Sequence, residues 1–144
     1  MNFTDYNRIV IVGGPSTGKT TLARKIANEW LERHISGAAY TTATDDYIAK
    51  SSWEDAPNDI LAGWLEIPSF APAVMEGVQT ARVLRRVAKT RPELLSSIAD
   101  LVVVLTHAFN PLSARQAGMA SGIKKIFAEV EPLLTCKVVR IGER

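Results

Sequence analysis

Residues 8–30 read RIVIVGGPSTGKTTLARKIANEW, and no other stretch limits the fold so tightly. Ile9 to Val12 is an unbroken apolar run closed by glycine, the pattern of a strand buried on both faces. From Thr20 onward Leu22, Ala23, Ile26, Ala27 and Trp30 recur at helical spacing, with Arg24, Lys25, Asn28, Glu29 and Arg33 on the other side. A strand therefore passes into an amphipathic helix through a turn of glycine and small polar residues. A linker has no use for the single lysine, Lys19, that closes this turn.

The rest of the chain repeats the alternation. Strands are expected near Ala39 to Thr42, at Ala73 to Gly77, at Leu101 to Thr106 and in the KVVRI run of residues 137–141. Between them come helical patterns: SWEDAPNDILAGWLE before the Pro68 and Pro72 breaks, a helix carrying Ala81, Leu84, Val87 and Ala88, and one carrying Met119, Ile123, Ile126, Phe127 and Val130 up to Pro132. Such alternation predicts a three-layer α/β domain, a mainly parallel five-stranded sheet flanked by helices. Right-handed crossovers put the carboxyl ends of all strands at one edge, where open α/β sheets bind ligands.

At 144 residues the chain fits one domain, residues 1–144. With 47% hydrophobic and 22% charged residues it has a globular composition, and no apolar run approaches the roughly 20 residues that span a bilayer. No membrane partner is expected. MNFTDYNR lacks the pattern of a secretion signal, and one cysteine, Cys136, cannot form an internal disulfide. A cytoplasmic location is the expectation. The net charge of +2 is too balanced to announce nucleic-acid binding unless the charges cluster.

GGPSTGKT, Gly13 to Thr20, has the spacing G-x-x-x-x-G-K-[ST] of a phosphate-binding loop, in the strand-to-helix setting that motif requires. Glycines let backbone N–H groups approach an anion, and the helix N-terminus adds partial positive charge. Gly13, Pro15, Ser16, Thr17, Gly18, Lys19, Thr20 and Thr21 are the expected contacts to a nucleoside triphosphate. Lys19 would reach the β- and γ-phosphates, and the Thr20 hydroxyl would hold Mg²⁺.

On this loop, the alternation and the short length, the chain resembles the P-loop kinases. The resemblance implies a P-loop NTPase fold with strand order 2-3-1-4-5, and ATP and Mg²⁺ as cofactors. It further implies an acidic residue after the third strand that assists the metal, a position matched by Glu76 of VMEGV. Asp100 precedes its strand and falls on the opposite edge.

TATDDYIA sets Asp45 and Asp46 just beyond a predicted strand, at the ligand edge. A hydroxyl acceptor needs a carboxylate to orient it and take its proton, whereas a phosphate acceptor does not. The pair is similar to the aspartates that nucleoside-type and polynucleotide-type kinases carry after the second strand; helix capping is the competing role. Arg82 opens the helix after Glu76, where its planar fork would clamp an acceptor phosphate or a nucleic-acid backbone. Arg85, Arg86 and Lys89 read as a solvated face. By resemblance, the segment after the fourth strand is a lid whose arginine, Arg115, closes on the transferring group.

Gly118 and Gly122 suggest close backbone packing or a flexible lid. Trp53 and Trp64 read as core anchors, and His34, His107 and Cys136 as chemically silent. Only about 25 residues lie between Asp46 and Pro72, a small roof, which favours an extended acceptor in an open cleft. The pattern resembles small phage and bacterial enzymes of that kind, polynucleotide 5′-hydroxyl kinases and hydroxymethyluracil DNA kinases. The acceptor expected is thus a nucleic acid or a nucleoside. A nucleoside monophosphate kinase, and an ATPase or nucleotide-gated binding module, are the alternatives.

Overall fold

The computed structural model describes residues 2–33, 39–48 and 52–142. His34 lies outside them. Five strands, β1 (Arg8–Gly13), β2 (Tyr40–Ala43), β3 (Ala73–Glu76), β4 (Leu101–Leu105) and β5 (Lys137–Ile141), form one sheet in the order β2-β3-β1-β4-β5, and every pairing is parallel. The expected strand order holds. Six α-helices accompany them: α1 (Lys19–Arg33), α2 (Asp45–Ile48), α3 (Ala56–Glu66), α4 (Thr80–Thr90), α5 (Leu95–Ile98) and α6 (Ala114–Val130).

Strand alternation divides the core in two. Ile9, Ile11, Val74, Leu101, Val103 and Leu105 face α1, where Leu22, Ala23, Ile26 and Trp30 cover them. Val10, Val12, Ala73, Met75 and Val102 face the opposite layer, built from α3, α4, α5 and α6 with Trp64 and Phe127 as its largest buried rings. The sheet is buried on both sides, which is why its central strands carry unbroken apolar runs. The buried indoles keep their N–H groups satisfied: Trp30 Nε1 donates to Tyr6 O at 3.1 Å and Trp64 Nε1 to Ile98 O at 2.9 Å.

The amino edge is closed by two charged groups. Asp100 accepts from the backbone N–H of Asn7 at 2.8 Å and of Arg8 at 2.9 Å. The Arg8 guanidinium donates to the carbonyls of Ala71, Pro68 and Ile67 and lies 5.6 Å from the Trp64 ring centroid, fixing the turn that leads into β3. Asp100 thus serves structure at the edge away from the glycine-rich loop.

Three expectations are corrected. Trp53 is not a core residue; it is 41% exposed on the turn before α3, whereas Trp64 is 2% exposed. Gly118 and Gly122 do not mark close packing, since a Cβ on either would meet nothing within 4 Å. Arg85 and Arg86 are half-buried and line a concavity with Lys89 instead of forming a plain solvated face.

Candidate functional site

The glycine-rich loop leaves β1 at Gly13 and enters α1 at Lys19. Its backbone takes left-handed φ values at Ser16 (60°) and Gly18 (82°), which turns successive N–H groups toward one concavity. A Cβ on Gly13 would stand 2.7 Å from Thr17 Oγ1, and one on Gly14 would stand 2.9 Å from the Ala120 Cβ of α6. Only glycine lets the loop pass between its own side chains and that helix. The Lys19 ammonium folds across the loop and donates to Gly14 O at 2.7 Å, and Thr17 Oγ1 donates to the same oxygen at 2.9 Å. Gly14, whose own role the motif does not single out, is the acceptor that organises the cup.

At the cup's rim the Thr20 hydroxyl donates to Glu76 Oε2 at 3.3 Å. Glu76 is only 6% exposed at the end of β3, and its burial raises its pKa although Lys19 and the Thr20 bond oppose the shift. Lys19 is shifted the other way: burial lowers its pKa, against the pull of Glu76 and Asp45. Among the described residues no group of three or more His, Cys, Asp or Glu forms a ready-made metal cage. A hydroxyl and a carboxylate beside a glycine-rich loop nevertheless suit Mg²⁺, which takes few protein ligands and completes its shell with water and phosphate oxygens.

Asp45 and Asp46 begin α2, directly after β2, and both are exposed. Both add negative charge near Glu76, and Asp45 also favours the charged form of Lys19. Thr44, fully buried, sets their position: its N–H donates to Glu76 O at 2.8 Å and its hydroxyl accepts from the Gln79 N–H at 3.3 Å. That hydroxyl thereby ties the residue before α2 to the β3–α4 turn. Gly77, at φ 130°, makes the arrangement possible, because a Cβ there would fall 1.8 Å from Thr44 Oγ1. Thr80 Oγ1 donates to Ile11 O at 2.8 Å and ties the start of α4 to β1.

The segment after β4 reaches the cup by its backbone. Phe109 N–H donates to Ser16 O at 2.8 Å, and the Phe109 ring meets His107 edge to face at 4.8 Å. Arg115 sits exposed in the first turn of α6, behind a capping box of Ser113 and Gln116, and makes no hydrogen bond or ion pair among the described residues. Arg82 lies under Trp53, its guanidinium 5.3 Å from the ring centroid. The structure thus gathers Lys19, Thr20, Glu76 and Asp45 at one edge, with Asp46 beside them, while Arg82 and Arg115 stand on the first turns of α4 and α6.

A parallel five-stranded sheet in this order, with the loop between its central strand and α1, is a fold of the P-loop nucleotide-binding type. Neither any known protein-family profile nor any curated protein sequence matches the chain. Among solved structures, the flagellar accessory protein FlaH from Methanocaldococcus jannaschii aligns with 94% of the chain at 16% identity and a TM-score of 0.22. The chain spans 61% of that protein's length. No helix among the described residues is long and apolar enough to cross a membrane.

Proposed function

We propose that this protein transfers the γ-phosphoryl group of ATP, with Mg²⁺, to a hydroxyl acceptor on a nucleic acid or a nucleoside. The observation that carries the reading is the position of Asp45, an exposed carboxylate two residues past Ala43, which pairs in register with Glu76 at the carboxyl end of the sheet. In this reading the loop amides, Lys19 and Thr20 hold the triphosphate. Glu76 and Thr20 take part in holding Mg²⁺, which supplies charge neutralisation on the phosphate oxygens. Asp45 orients the acceptor hydroxyl and takes its proton as the new O–P bond forms and the bond from the γ-phosphorus to the bridging oxygen of ADP breaks. A phosphate acceptor is already ionised and would leave Asp45 without a task.

The test is to incubate γ-labelled ATP with a panel of 5′-hydroxyl and 5′-phosphate oligonucleotides, hydroxymethylated DNA, nucleosides and nucleotides. Label is expected on hydroxyl acceptors. Asp45→Asn should lower kcat by about 10² to 10⁴, with a much smaller effect of Asp46→Asn. Label recovered only as free phosphate would overturn the reading in favour of an ATPase, and transfer only to nucleoside monophosphates, insensitive to Asp45, would favour the nucleotide-kinase alternative.

A further inference from the structure

Four cations share one concavity on α4. Arg82, Arg85, Arg86 and Lys89, with Pro57 and Thr90, line a groove of about 290 Å³. Their charges are poorly matched by the protein itself. The Arg82 Nε atom is buried with no hydrogen-bond partner among the described residues. Arg85 has one long ion pair, to the exposed Glu129 at 3.9 Å. Among the described residues Arg86 reaches only neutral oxygens, Asn58 Oδ1 at 3.5 Å and Glu54 O at 3.4 Å. Lys89 is exposed and has no partner among the described residues. Burial and the neighbouring charges of Arg85 and Arg86 all lower the pKa of Arg82, with only Glu54 opposing. A protein with a net charge of +2 has here concentrated a field that an anion would relieve.

We infer that this groove binds the phosphodiester backbone of a single-stranded nucleic acid whose reacting end lies at the sheet edge beside Asp45, an inference that rests on the phosphotransferase reading above. The geometry favours a strand over a single anion. Arg82 to Lys89 spans eight residues of helix, about 10 Å, enough for two to three successive phosphates. α4 starts at the ligand edge and runs back along the sheet, so a strand seated on it leads away from the cup. At the upper end Trp53 is 41% exposed with Arg82 against its ring, a platform on which a base can stack. That indole distinguishes a nucleic acid from an acidic peptide.

The experiment is fluorescence anisotropy with a 3′-fluorescein single-stranded DNA of about 12 nucleotides, titrated between about 50 and 200 mM salt. Arg86→Gln combined with Lys89→Gln should weaken binding by tenfold or more at the low end and reduce the slope of log K against log salt by about 1.4. Mg-ATP affinity should stay unchanged, which verifies the fold of the variant. Lys19→Ala should lose Mg-ATP and keep the oligonucleotide. Equal oligonucleotide affinity and slope in the double variant, absence of binding by the parent protein, or displacement of the strand by poly-glutamate at equal charge would each overturn the inference. Variant-sensitive binding without phosphoryl transfer to any acceptor would support the groove and overturn the phosphotransferase reading instead.

Discussion

The Thr20 hydroxyl donates to Glu76 Oε2 at 3.3 Å, a bond that joins the first turn of α1 to the end of β3. Its acceptor is a carboxylate whose burial outweighs the attraction of Lys19, so the folded state holds the Glu76 proton to a higher pH than the unfolded chain, where 4.5 is the ordinary value. Between those two values the folded state binds more protons, and stability falls as pH rises through that window and stays lower above it. Glu76→Gln keeps an acceptor for Thr20 and removes the charge. Its urea midpoint should exceed the parent's at pH 8, and the difference should vanish below about pH 4.5. A variant no more stable than the parent at pH 8 would contradict the assignment. Mg-dependent nucleotide affinity should fall in the same variant, the expected exchange of function for stability.

Gly77→Ala should be among the most damaging single-methyl additions. The residue has φ 130°, and the new Cβ would stand 1.8 Å from Thr44 Oγ1. The backbone term alone is about 1–3 kcal/mol. Adding Thr44→Ala removes the oxygen but not the φ conflict, so denaturation of the double variant should show partial recovery. Full recovery would mean that the backbone is unstrained.

On α6 the opposite outcome is expected. Gly118→Ala and Gly122→Ala place a methyl where nothing lies within 4 Å and remove the entropic cost of glycine inside a helix. Each should stabilise by about 0.5–1 kcal/mol. A loss of stability would show that the flexibility of α6 or an additional contact is required.

Asp100→Ala separates stability from function. It removes the acceptor for two backbone N–H groups at the edge away from the cup, at a cost of about 1–2 kcal/mol because the bonds are solvent-exposed. Phosphoryl transfer per folded molecule should be unchanged. A fall in kcat with stability restored by low temperature would place Asp100 in the reaction.

The strands and the loop were legible in the sequence because their rules are local. An apolar run bounded by glycine admits few conformations, and the loop's spacing fixes where the helix begins. Asp45 and Glu76 were legible as strand-end acids because parallel topology sends both to one edge. Contacts between elements distant in sequence were not. Nothing near Trp53 reveals that Arg82 packs on its ring, and nothing near Gly77 reveals that Thr44 occupies the place of its side chain. The short α5 after Pro92 carries too few residues for a periodic signal. Gly118 and Gly122 left two readings open, because small residues four apart are equally compatible with a helix face that packs on nothing, and the structure removes the close-packing one.

β1 sends Ile9 and Ile11 to one side of the sheet and Val10 and Val12 to the other. One residue inserted within that strand would trade the two sets across the sheet and rotate the start of the loop by half a pleat relative to its neighbours. An insertion inside β1 is therefore disruptive in a way that one in a turn or at a helix end is not. The four residues from Ile9 to Val12 are held in step by side-chain parity, whatever chemistry the far edge comes to perform.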